Sequence, residues 1–437
     1  MNLRSALCIL TGLAVGTSGF AADTALPPQS PDEPLIRAVA ESSTGFAAGL
    51  YAQLRVQPGN IAFAPVGLSQ ALVALAAGTA GTTEAELSKV LDLTVPVVDA
   101  ADGFAMLSRR LQRAAGGEAA LCFARALWVQ QWNSINSDFV EVLREHCRSE
   151  LRVTDFAHAQ VAARWMNQWV ADRTEAQVGS IVDPRELDTS TRLVVGTAVC
   201  FNAGWKSRFD PAQTAVGRFF VTTEPAPVEV SFMRQTALYR LATMPGVRLL
   251  QLPYRGDRLA MVVVLPDVTL PPIEDTLTSE RIAEYLRSVQ QAAPAPLDLR
   301  LPRFKAERPL ALMMAAVQAM GARQVWNRDG AADFSKFGSN YDSEPVYLSG
   351  INHLAKFSVE EQGSLAPVAM AAVPVVVAAA PTAGGAGPAA GAGAAQAQDP
   401  MQASETLIID RPFLYFICDP DTGSVLFMGR VADPREG

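Results

Sequence analysis

Apolar and polar residues recur along this chain with two different periods, and the change of period divides it. From residue 34 the repeat is helical. Ala47, Leu50, Tyr51 and Leu54 fall on one face, the spacing of an amphipathic helix. Residues 60–65 are a short apolar stretch ending in Pro65. Residues 68–77 are apolar apart from Ser69 and Gln70, which predicts a buried helix. Gly78 and Gly81 break it, and Thr83 stands three residues before Glu86, the spacing of a capping box at a new helix N-terminus. Residues 139–146 predict a further amphipathic helix, and Trp165, Trp169 and Val170 sit near helical spacing on another.

Beyond residue 190 the period shortens. Leu193–Phe201 is almost wholly apolar, as in a strand covered on both faces. Residues 249–253 and 259–266 flank Tyr254-Arg255-Gly256-Asp257, a hairpin signal. Residues 297–301 alternate, and a helix is expected over 310–320, closed by Gly321. Residues 414–418 and 425–428 are expected as the last strands, joined by a turn over 419–423. Helices early and strands late favour α+β over a repeating βαβ layout. Residues 367–403 follow neither period. They are mostly Ala, Val, Gly and Pro, with no aromatic residue and no Lys or Arg. Such a stretch cannot bury enough surface to fold alone, and a compact domain rarely carries so long a loop without a use for it.

Composition adds the setting. With 49% hydrophobic and 18% charged residues, the 437-residue chain can build a large core. Its net charge of −8 and its lack of basic runs argue against nucleic acid and anionic membranes as partners. Arg4, an apolar stretch over 5–15 too short to span a bilayer, and Gly19-Phe20-Ala21 form a signal-peptide pattern. We therefore expect a signal peptide over 1–21, a flexible Pro-rich leader over 22–33, one domain over 34–437, and a secreted or periplasmic, monomeric protein. Few Lys beside many Ala and Arg point to a GC-rich bacterial genome. Cys122, Cys147, Cys200 and Cys418 remain after the signal is removed. Four cysteines allow three full pairings, and spacing does not choose among them. Cys200 and Cys418 suit buried thiols in strands.

Enzyme chemistry finds little support. There are three histidines, His146, His158 and His353, and no HExxH, P-loop or GxSxG pattern. Gly67-Leu68-Ser69-Gln70-Ala71 misses a nucleophile elbow, since Pro65 stands before it where a strand is needed and Ala71 replaces the last glycine. Gly391-Ala392-Gly393 lies in low-complexity sequence with no strand before it. We expect no catalytic residues, no metal and no cofactor.

The ordered motifs instead resemble the serpins. Asn60-Ile61-Ala62-Phe63-Ala64-Pro65, then Leu68-Ser69-Gln70-Ala71-Leu72 and Gly78-Thr79-Ala80-Gly81, are similar to that family's first buried strand and helix. Asn167-Gln168-Trp169-Val170 with Thr174 and Ile181 resembles its connecting helix. Thr191-Arg192-Leu193 through Phe201 and Trp205, then Phe209-Asp210-Pro211, resembles its long central strand and following turn. Leu252-Pro253-Tyr254, Leu301-Pro302-Arg303-Phe304, Leu407 through Ile417 and Phe427-Met428-Gly429-Arg430-Val431 complete the pattern. The resemblance covers residues 35–434 and implies an α+β fold. Helices would surround three β-sheets, one large and central, with an exposed reactive-centre loop over 363–406.

It also implies a mechanism. Glu361, Gly363, Ser364 and Ala366 would form the loop's hinge, and the scissile bond would be Val377–Ala378. A serine protease would attack that bond, and the cut loop would insert into the central sheet, dragging the protease with it. Small hinge residues suit this, because a charged residue would have to be buried. No Lys or Arg lies between Lys356 and Arg411 and no aromatic between Phe357 and Phe413. The implied target is therefore an elastase-like or subtilisin-like protease that accepts small aliphatic residues. Arg303 and Glu361 would pair where the sheet opens, beside Trp205 and near His353 and Thr197. Ala64 and Gly67 stand where serines are usual, and Thr197 where asparagine is usual, so the hydrogen bonds around His353 must differ. Pro367 and Pro374 lie within the insertable segment, and Gly363 precedes Pro412 by 49 positions, about twice the family's habit. These departures favour an alternative, a non-inhibitory serpin that acts as a binding or scaffold protein with a flexible loop.

Overall fold

The computed structural model of the chain describes residues 32–436, except 118–119, 132, 223, 225, 308–312, 341–344 and 366–404. The expected signal peptide, the leader up to residue 31, and Ala366, Val377 and Ala378 lie outside the described residues.

The first helix, Glu33–Leu54, has Pro34 in its first turn and buries Phe46, Leu50, Tyr51 and Leu54. Proline suits that turn because its missing N–H would have no helical partner there. The helix Pro65–Ala76 is buried at every residue, Ser69 and Gln70 included, which explains why it is otherwise apolar on every face. The next helix departs from expectation. It spans Gly81–Val90 with Ala80 at its N-cap, so Thr83 lies inside it. Thr83 Oγ1 accepts from the amide of Asp333 at 2.9 Å. Glu86 accepts from the amides of Arg323 and Gln324, each at 2.7 Å. Both side chains satisfy backbone donors of a distant loop, and that tertiary demand displaces the capping box. Residues 139–146 divide between the helix Ser137–Val142 and a π-helical turn, Leu143–Cys147.

Among the described residues there are a nine-stranded sheet, a seven-stranded sheet and a two-stranded ribbon, with helices packed on both larger sheets. In the nine-stranded sheet the hairpin Val247–Pro253 and Ala260–Pro266 forms as expected, and Phe413–Asp419 pairs with Ser424–Val431. The seven-stranded sheet is centred on Leu193–Phe201, all nine of whose residues are buried. It pairs antiparallel with Leu121–Gln130 and parallel with Leu348–Glu360. Val195, Val199 and Phe201 join the main core, while Val194, Ala198 and Cys200 pack with Met166 and Trp169 of the helix Ala159–Arg173. Apolar layers on both faces account for the absence of alternation.

Candidate functional site

The site lies where two strands of the seven-stranded sheet part. Leu193–Phe201 and Leu348–Glu360 are paired from Leu193/Leu348 up to Cys200/Lys356. Above that row they diverge. Leu193–Phe201 is followed by the short strand Ala203–Gly204, while the other chain turns back at Glu361 and Gln362. The three residues Gly363–Leu365 fill the gap. They pair antiparallel with Ser358, Val359 and Glu360 on one side and with Ala203 and Gly204 on the other.

Each of the described hinge residues is held by a specific contact. A Cβ on Gly363 would lie 2.1 Å from the carbonyl oxygen of Ala203, so the close approach of the strands demands glycine. Ser364 is fully buried and its Oγ lies 2.6 Å from the hydroxyl of Tyr254. Burial holds the Tyr254 phenol neutral, well above its usual range. Tyr254 stacks on Trp205, with ring centroids 4.6 Å apart. Trp205 Nε1 donates to the carbonyl of Glu360 at 2.8 Å. The amides of Trp205 and Phe209 donate to the carbonyls of Gln362 and Glu361 at 2.9 and 3.0 Å. The turn's backbone acceptors are thus satisfied from one side.

Glu361 is buried while Arg303 is half exposed. Arg303 Nε donates to Glu361 Oε1 at 2.8 Å, its Nη2 also contacts that oxygen, and Thr214 Oγ1 donates to it at 2.6 Å. Burial alone would raise the Glu361 carboxyl, but the bonds from Arg303 and Thr214 outweigh it and hold the group below its usual range. Trp205, Arg303, Glu361, Gly363 and Ser364 are therefore brought together.

Thr197 and His353 sit lower, opposite each other across the closed part of the pairing. They are not bonded to each other. His353 Nε2 accepts from the amide of Ala64 at 3.0 Å, at the N-terminus of the helix Pro65–Ala76. Its Nδ1 and the Thr197 hydroxyl are buried and find no partner among the described residues. Burial pushes the His353 imidazole down to about 3, so it is neutral at physiological pH. Tyr254 and Thr214 complete the site but are not among the residues singled out from sequence. Tyr254 belongs to the serpin-like motif Leu252-Pro253-Tyr254, but its place in a turn, where exposure is the rule, hid its burial. Thr214 carried none.

Comparison with known proteins defines the class. The family model described as Serpin (serine protease inhibitor) matches residues 41–434, and the chain belongs to that family. It is 29% identical over 412 residues to an uncharacterized serpin-like protein of Thermococcus kodakarensis, covering 93% of this chain and 87% of that one. It is 27% identical to the leukocyte elastase inhibitor of Homo sapiens, over 91% of this chain and 99% of the relative. Its fold resembles that of the thermophilic serpin tengpin in the native state, with a TM-score of 0.75, 21% identity, and coverage of 93% and 95%. The family's members act on serine proteases as inhibitors and are generally not enzymes.

Proposed function

We propose that this chain inhibits a serine protease by suicide cleavage of the loop that follows the hinge. The protease serine attacks the carbonyl of Val377 and the bond to Ala378 breaks. An ester to the protease forms, and the new amine of Ala378 leaves with a proton. The freed strand then inserts between Leu193–Phe201 and Leu348–Glu360.

The observation that carries this reading is Gly363–Leu365, already paired as an antiparallel strand between Ala203–Gly204, which follows Leu193–Phe201, and the end of Leu348–Glu360. Continuing the same register downward puts Pro367 between Cys200 and Lys356, Met370 between Thr197 and His353, and Pro374 beside Leu193. The paired length of the two strands ends at Leu193/Leu348, opposite residues 374–375 of an inserted loop. A cut after Val377 therefore gives a strand that fills the whole gap with two residues to spare. A cut near Gly391 would leave a long slack tether and free the protease to complete hydrolysis. The loop's content of Val and Ala supports a target of elastase-like or subtilisin-like preference, met outside the cell or in the periplasm.

One feature favours a second reading, a binding protein that does not inhibit. Pro367 falls at the first closed row, Cys200/Lys356, where zipping must begin. Proline brings no N–H to that row. Mixing the purified chain with an elastase-like protease separates the readings. An SDS-stable band of summed mass supports inhibition. Cleavage of the loop without that band sinks it.

A further inference from the structure

The cysteines offer a site that the inhibitory reading does not use. Cys122 and Cys200 are direct register partners on the antiparallel strands Leu121–Gln130 and Leu193–Phe201. At the two ends of this ladder, Asn202 N donates to Ala120 O at 2.7 Å and Gln130 N to Arg192 O at 2.8 Å. Both bonds fall in even-numbered rows, so the Cys122/Cys200 row is a hydrogen-bonded pair. Its Cα atoms are then about 5.5 Å apart, inside the range of about 4.4–6.8 Å that a disulfide spans. Side chains in one row of a sheet leave on the same face. Both side chains pack beneath the helix Ala159–Arg173, Cys200 within its apolar cluster and Cys122 against it. Cys122 is partly exposed and Cys200 is buried. Neither Cys147 nor Cys418 has such a partner. Cys418 faces Ala260 and Val425 in the other large sheet, and Cys147 ends the π-helical turn.

We propose that Cys122 and Cys200 are an oxidisable pair that closes into a cross-strand disulfide when the chain meets a disulfide donor. The partly exposed Cys122 reacts first. Its thiolate attacks one sulfur of the donor, the donor's S–S bond breaks, and one donor thiolate leaves. The Cys200 thiolate then attacks the Cys122 sulfur and expels the second donor thiolate. The two cysteines lose two electrons and two protons. The donor gains both and ends as two thiols. The second step is the slow one, because burial, which persists after Cys122 is capped, holds the Cys200 thiol above its usual range.

The bond welds Leu121–Gln130 to Leu193–Phe201 and leaves the gap between Leu193–Phe201 and Leu348–Glu360 free. It does not depend on the proposed inhibition, and its test can succeed or fail whatever the loop does. The folded chain is equilibrated with oxidised glutathione, quenched in acid, unfolded, alkylated and digested. A peptide linking Cys122 to Cys200, a chain lighter by two hydrogens, and a thermal midpoint raised by several degrees that falls back on reduction are expected. Cys122→Ser should abolish that rise. Free alkylation of both cysteines after prolonged oxidation overturns the proposal. So does a mixed disulfide stalled on Cys122, or a link that uses Cys147 or Cys418.

Discussion

Arg125, Thr197 and His353 stand in one row across three neighbouring strands, and each buries a polar atom with no partner among the described residues. The Arg125 guanidinium is the costliest of the three. Its Nε and Nη1 are sealed from solvent, and burial pushes its pKa down to about 10. Among the described residues the guanidinium is offset by the Phe123 ring, 5.1 Å away, a contact worth about 1–2 kcal/mol at a desolvated site. Arg125→Met keeps most of the stem and removes the charge. It should raise stability by about 1–3 kcal/mol, read as the urea midpoint at pH 7. A loss of stability would refute the view that this charge is uncompensated. His353 makes a pH argument. Its folded pKa of about 3 lies below the ordinary 6.5. As pH falls between those values the unfolded chain takes up a proton that the folded chain refuses, so acid destabilises the fold. The full effect is about 3–5 kcal/mol. Unfolding midpoints of the chain and of His353→Gln at pH 7 and pH 4.5 should diverge, with the variant losing less on acidification.

At the scale of elements, the sequence made Leu193–Phe201 legible because layers on both faces leave Thr197 as its one polar side chain. The hairpin at Tyr254 and the buried helix Pro65–Ala76 were legible for similar reasons. The strongly amphipathic helices Val97–Ala115 and Ser279–Gln291 and the alternating strand Val228–Met244 were passed over, although each carries a periodic pattern. The capping box failed because a local motif cannot reveal that Thr83 and Glu86 serve amides near residues 323–333. The candidate hinge residues were legible only through family resemblance, since Gly363 and Ser364 take half of their contacts from Ala203, Gly204 and Tyr254, more than 100 positions earlier. That dependence gives a prediction. Gly363→Ala thrusts a Cβ against the Ala203 carbonyl, so Gly363–Leu365 should leave the sheet. Trp205, which packs against this turn, should show a shifted emission, and the loop should be cut several-fold faster by subtilisin. Ser364→Ala instead keeps the strand in place and leaves the buried Tyr254 hydroxyl unpaired. It should cost about 1–3 kcal/mol without the change in cutting rate.

For the whole molecule the issue is a race between two rates, and it sets what the long loop can be. Inhibition requires the cut strand to reach the foot of the sheet before water releases the protease. If the cut falls after Val377, as proposed, residues beyond it take no part in that journey, because they stay with the other fragment. Most of the 49-position span from Gly363 to Pro412 is then a spacer, and deleting residues 382–399 should leave the yield of SDS-stable complex within about twofold. Under the same proposal, Pro367 acts on the journey itself. It arrives at the row of Cys200 and Lys356 without an N–H, so one ladder bond worth about 1 kcal/mol is missing when zipping starts. By transition-state arithmetic a barrier raised by that amount slows the step about fivefold. Pro367→Ala should therefore lower the number of inhibitor molecules consumed per protease trapped, by up to that factor, with a smaller gain for Pro374→Ala at the end of the paired length. If the spacer deletion abolishes the complex while Pro367→Ala changes nothing, cleavage lies beyond Val377 and insertion is not what decides the fate of the protease.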